Sequence, residues 1–275
     1  MDLLISFLII ILLNLILMAL ITPLPISDTG VVRYRTLPLM TMALITVNAL
    51  VFTLWQARTL YGTESIAELQ SYVDQVWRYG YRESFMRDGT SIGAFTTFTS
   101  MFMHADFWHL FGNMIFLWTF GRRVEDACGA WRFLLYYLAA GMVANLGSVV
   151  LNPSHSDIPS IGASGAISGV MGAYLVLFPG AKVQCLWVLG SGLRIPFALI
   201  LGRKMWSWTI SLPAWVLLIY YAVSNALPSF DVMQNGSDVG GVNTLAHLMG
   251  FLGAAIILLY VRKDLLLRYL AGRRL

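Results

Sequence analysis

The sequence predicts an all-α polytopic membrane protein, and three observations carry that prediction. Hydrophobic residues make up 58% of the 275-residue chain, charged residues 12%, and the mean hydropathy is +0.71. A soluble domain is about a quarter charged. Seven apolar segments of roughly membrane-spanning length follow one another, at residues 3–22, 37–57, 106–121, 132–151, 161–178, 212–228 and 243–261. The basic residues are also unevenly shared. If the segments alternate in direction, 14 of the 18 Lys and Arg fall on one side, from Arg33 and Arg35 to Arg273 and Arg274. The other side holds Arg58, Arg78, Arg82 and Arg87, all around one long connection. The basic side faces the cytosol, which puts the N-terminus outside and the C-terminus inside.

Each segment has its own justification. Segment 3–22 follows Met-Asp rather than a basic n-region, exceeds a signal peptide's apolar run and precedes no small-x-small site, so it reads as an uncleaved helix. Segment 106–121 is short for a crossing and calls for tilt or local thinning. In the long outer connection 58–105, Ile66, Leu69, Val73, Val76 and Trp77 recur at helical spacing among Glu64, Glu68, Asp74 and Arg78. That pattern predicts an amphipathic helix, lying in the outer interface or packed on the bundle. Residues 179–211 are broken by Pro179-Gly180, Gly190, Gly192 and Pro196 and carry Arg194, Arg203 and Lys204. They read as an interfacial connection rather than an eighth span. Cys128 and Cys185 both fall on the cytosolic side, where a structural disulfide is disfavoured. The net charge of +4 follows from the positive-inside bias and implies no nucleic-acid partner.

Polar groups inside spans are costly and mark functional sites. Ser164, in the run Gly162-Ala163-Ser164-Gly165-Ala166, opens segment 161–178. His247, one of four histidines, lies at matching depth in segment 243–261, and His109 and Asn113 sit one helical turn apart near the start of segment 106–121. All four fall near outer helix ends. A serine becomes a nucleophile when a neighbour takes its proton, and imidazole is the usual acceptor. Backbone N–H groups at a helix start lack intrahelical partners and can stabilise an oxyanion, to which His109 and Asn113 could add donors from one helix face. Gly162 and Gly165 leave room for an incoming carbonyl.

Packing is the competing explanation. Gly162, Gly165, Gly169 and Gly172, with Ala166, Ser168 and Ala173, form a small-residue surface that Gly250, Gly253 and Ala254 could face. On the bare pattern, catalysis and packing are evenly matched for Ser164 and His247, and interhelical glue is the simpler account of His109 with Asn113. His104, beside Asp106, fits a cap or packing residue, and His155 an outer-loop residue without a partner. No phosphate-cradling loop, metal motif or pair of membrane carboxylates occurs in the sequence.

At these residues the chain resembles the rhomboid intramembrane serine proteases. Three elements carry the likeness: His104-Ala105-Asp106-Phe107-Trp108-His109-Leu110-Phe111-Gly112-Asn113, then Gly162-Ala163-Ser164-Gly165, then Ala246-His247-Leu248-Met249-Gly250. They occur in order, on alternate spans and at one depth. Arg123-Val124-Glu125-Asp126, followed by Gly129 and Arg132-Phe133, is similar to the family's cytosolic turn after its second core helix. The resemblance covers about residues 36–262 and implies a six-helix core there, with 1–35 an added transmembrane helix and linker and 263–275 a basic cytosolic tail that meets anionic headgroups. It also implies a Ser-His dyad without a third carboxylate, a metal or any other cofactor. Ser164 would be the nucleophile and His247 its base. His109, Asn113 and the Ser164 backbone N–H would hold the oxyanion, and Gly162, Gly165 and Gly250 would pack the site.

The activity so implied is hydrolysis of peptide bonds in or next to the transmembrane segments of single-span or multi-span membrane proteins, near the outer face of a bacterial-type inner membrane. Two positions depart from the family pattern. Phe95-Thr96 stands where Trp-Arg is frequent, so the outer connection needs another anchor. Ser168 stands where some relatives carry an aromatic that stacks on the histidine, so other contacts must orient His247. A proteolytically inactive relative that binds membrane clients is the alternative. A transporter or channel would need a polar path across the bilayer, whereas the inner halves of these segments are apolar.

Overall fold

A computed structural model describes residues 23–28, 36–61, 66–89, 91–152, 157–187, 208–235 and 243–261, together with Leu189, Gly192 and Ile200. Segment 3–22, the 263–275 tail and His155 lie outside the described residues. The chain divides into two compact units, residues 1–32 with 180–216, and residues 33–179 with 217–275.

The larger unit is helical. Helix α1 comprises Leu39–Val51, a π-helical turn Phe52–Gln56 and Ala57–Tyr61. The long connection 58–105 holds α2 (Ile66–Tyr79), α3 (Glu83–Arg87) and α4 (Ser91–Thr99), the last followed by a 3-10 turn. Then come α5 (Phe107–Phe116), α6 (Ala130–Leu151), α7 (Ser164–Leu177), α8 (Ala214–Asn235) and α9 (Thr244–Val261). The runs Leu39–Leu60, Ala130–Leu151 and Ala214–Gln234 are long and apolar enough to cross a membrane; α7 and α9 are shorter apolar helices. Trp131, Leu135 and Val150 of α6 are exposed, an outward apolar surface that suits lipid rather than water.

Helix α7 is buried along nearly its whole length, and its small residues explain why. A Cβ at Gly169 would strike Ala140 of α6 and Ala254 of α9, one at Gly172 the Phe251 carbonyl, and one at Gly250 the Gly165 carbonyl. Gly165 meets Gly250, Gly169 meets Ala254 and Gly172 meets Ala255, so α7 and α9 run parallel with their backbones touching.

Four sequence expectations need correction. The helix of the third apolar segment does not end with that segment, because α5 continues through a π-helical segment Leu117–Gly121 into Arg122–Cys128. Arg123-Val124-Glu125-Asp126 is therefore the last helical stretch rather than a turn; the chain reverses at Gly129, whose φ of +86° only glycine adopts readily. The acidic pair stays helical because it has a task across the bundle. Glu125 accepts hydrogen bonds from the Met40 N–H (2.8 Å), the Thr41 N–H (2.7 Å) and the Thr41 hydroxyl (2.7 Å), capping the start of α1. Asp126 accepts from the N–H and hydroxyl of Thr36 at 2.9 and 3.0 Å. The sixth segment, 212–228, also runs on, to Asn235.

The fourth correction concerns the fold class, which is mostly helical but not all-α. The smaller unit contains a three-stranded antiparallel sheet, β1 (Leu24–Asp28), β2 (Lys182–Leu186) and β3 (Thr209–Pro213), in the order β1-β2-β3. Leu186 pairs with both Leu24 and Thr209, and Val183 with both Asp28 and Leu212. Val183 and Cys185 are buried between exposed Lys182 and half-buried Gln184 and Leu186, the period-two pattern of a strand.

The long connection is fixed without a Trp-Arg pair. Tyr81 and Ser160 exchange backbone hydrogen bonds at 2.9 and 2.7 Å. Buried Glu83 accepts from the Ser148 hydroxyl (2.5 Å) and the Asn152 amide (3.2 Å) at the end of α6, while Arg87 donates to the Val149 and Asn152 carbonyls. Phe95 is exposed and Thr96 buried. The apolar face of α2 is not covered by the bundle: none of its residues is buried, and Ile66, Leu69 and Trp77 are exposed. Replacing Gly172 by Val pushes a Cβ with two methyl groups against the Phe251 backbone carbonyl. The expected loss of stability is about 1–3 kcal/mol, read as a lower unfolding midpoint of the purified protein in detergent; an unchanged midpoint contradicts the close backbone contact of α7 and α9.

Candidate active site

The turn before α7 sets the geometry. Gly162 has φ +131°, and a Cβ there would lie 2.8–2.9 Å from the His109 imidazole, so backbone conformation and space both demand glycine. The Gly162 N–H donates to the Ser100 carbonyl (2.9 Å), pinning the turn to the end of the long connection. Ser164 is the first residue of α7 and its N–H therefore has no intrahelical acceptor.

His247 lies on the first turn of α9, which Asn243 caps by accepting the Ala246 N–H at 2.8 Å. The Asn243 amide also donates to the Ser148 hydroxyl (3.2 Å), joining this cap to the Glu83 cluster. The close contact of α7 and α9 brings His247 Nε2 to 2.7 Å from Ser164 Oγ. A hydroxyl and an imidazole at that distance can exchange a proton.

His109 and Asn113 come from α5. Asp106 caps this helix, accepting the His109 N–H at 2.8 Å, and the Ala105 N–H donates to His109 Nδ1 at 3.3 Å. With Nδ1 accepting, a neutral His109 carries its proton on Nε2, the nitrogen nearest the Gly162 turn. The Asn113 Nδ2 is buried and makes no hydrogen bond. A cavity of about 600 Å³ has Ser164, His247 and His109 in its wall, together with Met101 and with Tyr72 and Trp77 of α2. The structure thus gathers Ser164, His247, His109, Gly162 and Gly165 at one cavity; Asn113 is one turn beyond His109, and Gly250 lies behind Gly165.

His104 is a packing residue and Asp106 the cap. The His104 ring is fully buried, meets the His109 ring edge-on at 5.2 Å, and its backbone is clasped on both sides by the Gln56 amide (3.2 and 3.0 Å). Burial, reinforced by His109, outweighs the nearby Phe102 backbone and pushes the His104 imidazole down to about 3. Both cysteines are free, and burial pushes the Cys185 thiol up to about 12, so it is no nucleophile.

Two residues at the site escaped the sequence reading, both on α8. Asn225 Oδ1 lies 3.0 Å from His247 Nδ1, and the Tyr221 ring stacks on the imidazole at 6.4 Å and 29°. Ser168 Oγ lies 2.5 Å from the Tyr221 hydroxyl and donates to the Ser164 carbonyl at 2.7 Å. The available signal was spacing: Tyr221, Asn225 and Ser229 recur every fourth residue on one face of an apolar span.

A helical membrane bundle with a serine and a histidine paired at the mouths of two parallel helices is a narrow class of protein. The rhomboid domain family model matches residues 93–264. The chain is 31% identical over 145 residues to rhomboid protein 1, mitochondrial, of Saccharomyces cerevisiae, covering 51% of this chain and 37% of that protein. It is 38% identical over 104 residues to the rhomboid protease GluP of Bacillus subtilis (38% and 20% covered) and 29% over 161 residues to the putative rhomboid protease YdcA of the same organism (58% and 63% covered). The chain thus spans between a fifth and just under two thirds of these relatives' lengths. It belongs to the rhomboid family and is an integral membrane protein.

The neutral, buried His104 gives this end of the bundle an acid sensitivity. The unfolded chain binds a proton at this residue below the ordinary histidine pKa of about 6.5 while the folded protein does not, so stability falls as pH drops from there towards 3. His104→Phe should lose less of its unfolding midpoint between pH 7 and pH 5 than the native protein does; equal acid sensitivity of the two excludes His104 as the cause.

Proposed function

We propose that this protein is an intramembrane serine endopeptidase that cleaves other membrane proteins in or next to their transmembrane segments, near the outer face of the bilayer. The observation that carries the reading is the 2.7 Å approach of Ser164 Oγ to His247 Nε2 in the wall of an open cavity. A pair held only for packing would not need a cavity beside it.

In the proposed reaction His247 Nε2 takes the Ser164 proton as Oγ attacks the scissile carbonyl. The carbonyl π electrons move to oxygen, and the resulting oxyanion is met by the Ser164 backbone N–H, the His109 Nε2–H and the Asn113 amide. The unpartnered, buried Asn113 Nδ2 supports this assignment, since an orphaned donor costs about 1–3 kcal/mol until an acceptor arrives. Collapse expels the amine, which leaves with the proton from His247. A water, deprotonated by the same imidazole, then hydrolyses the acyl-enzyme. Every step is complete with side chains of this chain and water, so the reading includes no metal or other cofactor.

The cavity also bears on the substrate class. Its side wall includes Val73, Val76 and Trp77 of the amphipathic α2, so an apolar segment from a membrane helix, single-span or multi-span, could enter past an apolar surface. The scissile stretch must first leave its own helix, which helix-weakening small residues make easier. The reading extends to the topology: a six-helix core at about 36–262 with an added helix before it, a basic cytosolic tail, and an outside N-terminus in a bacterial-type inner membrane, as the asymmetry of basic residues suggests.

The test is cleavage of a single-span reporter by the purified protein in liposomes. Ser164→Ala and His247→Ala should each lower kcat by at least about 1,000-fold, and Asn113→Ala by about 100-fold, the usual cost of one oxyanion donor. Equal cutting by native protein and Ser164→Ala overturns the chemistry. Client binding without cleavage by the folded native protein assigns it to the non-proteolytic relatives instead.

A further inference from the structure

His247 meets Ser164 with one ring nitrogen and α8 with the other. The Asn225 amide decides what that second contact means. Its Nδ2 donates to the Tyr221 carbonyl at 2.9 Å, and a carbonyl can only accept, so the amide is fixed with its nitrogen on that side. Its oxygen therefore faces His247 Nδ1 at 3.0 Å. An amide oxygen also only accepts, so Nδ1 must carry the ring's proton. Nε2 is left with a lone pair 2.7 Å from Ser164 Oγ, the form that can take the serine proton. In the opposite tautomer Nε2–H would confront the hydroxyl and no base would be present.

The ring plane is held from the same helix. Ser168 has one proton, and it goes to the Ser164 carbonyl (2.7 Å), so the Tyr221 hydroxyl is the donor across the 2.5 Å contact with Ser168 Oγ. That bond ties Tyr221 to α7 while its ring lies against the imidazole face. Asn225 is buried, and the Ser229 hydroxyl donates to its backbone carbonyl at 2.6 Å, leaving the side-chain oxygen to His247.

We propose that Asn225 is the positioning residue that sets the tautomer and orientation of His247, with Tyr221 supporting the ring face; this rests on the reading of Ser164 and His247 as nucleophile and base. Hydrolases built on a histidine base commonly orient it with a carboxylate or an amide at Nδ1. Here an amide from α8 fills that place, so the base is competent only while α8 is docked against α9 through these contacts.

Reporter cleavage by the full chain in liposomes, with kcat and KM determined separately, tests this. Asn225→Ala should lower kcat about 10- to 100-fold with KM changed less than about 2-fold, the usual range for losing the partner that orients a histidine. Asn225→Asp keeps an acceptor oxygen towards Nδ1 but cannot donate to the Tyr221 carbonyl, and it should recover most of that loss. A native kcat in Asn225→Ala overturns the proposal. So does an Asp variant as slow as the Ala variant, because the contact that mattered would then be the one inside α8. Unfolding midpoints accompany each measurement, and Asn225→Ser replaces the Ala variant under the same criterion if the latter does not fold. Ser164→Ala in the same assay separates the two readings: cleavage that survives it defeats the dyad itself, whereas Ser164-dependent cleavage indifferent to Asn225 defeats only the positioning role.

Discussion

Helices α7 and α9 touch backbone to backbone, and the rest of the structure depends on that contact. Gly250 lies on the Gly165 carbonyl and Gly172 on the Phe251 carbonyl, with no side chain between them. Two parallel helices joined so closely must also bring their first turns together, and Ser164 and His247 stand on those turns. A methyl group at the interface would part the helices by an ångström or so, and a misplacement of about 1 Å can cost on the order of 100-fold in rate. The small residues that a packing explanation claims are thus the same ones a catalytic explanation needs. The two accounts of the glycines, rivals on the sequence alone, call for the same close contact.

The length of α7 gives the pair its setting. At 14 residues it is about 21 Å long, against about 33 Å for the 22-residue α6 beside it. A helix shorter than the hydrocarbon core of about 30 Å cannot reach both surfaces, and this one starts with Ser164 in the wall of the cavity. The space above it is the cavity. Around that space the long connection is stitched down by Tyr81 to Ser160, by Glu83 to the end of α6 and by Gly162 to Ser100. The hydrogen bonds that anchor the connection therefore also shape the cavity wall, and the Asn243 amide carries the Glu83 cluster through Ser148 to the cap of α9.

Much of this was legible in the sequence because membranes simplify the code. An apolar run of sufficient length must be a helix, and Ser164, His247, His109 and Asn113 stood out as polar groups in such runs. The sheet was illegible for the opposite reason. Ser27 and Gln184 lie 157 residues apart, and nothing in five-residue strands announces a partner at that distance. The end of α5 misled because Arg123, Glu125 and Asp126 read as a polar turn, while the carboxylates of Glu125 and Asp126 are spent on the N–H groups that start α1. Asn225 was missed because an amide in an apolar helix has no motif; its meaning lies in which neighbour each end of the amide faces.

Ser168 and Tyr221 show how a local departure can be made good from another helix. Some relatives place the aromatic that packs on the histidine at the position of Ser168, on the serine's own helix. In this chain the ring comes from α8, and its hydroxyl ends on Ser168 Oγ. Ser168 is fully buried, so a larger side chain there would occupy the volume that the Tyr221 hydroxyl fills. The small residue on α7 and the aromatic on α8 are therefore complementary halves of one arrangement. With the ring comes Asn225, one helical turn along the same face. Support for the imidazole from α7 alone would reach only its face; support from α8 reaches the face and Nδ1 together, and so fixes the proton as well as the plane.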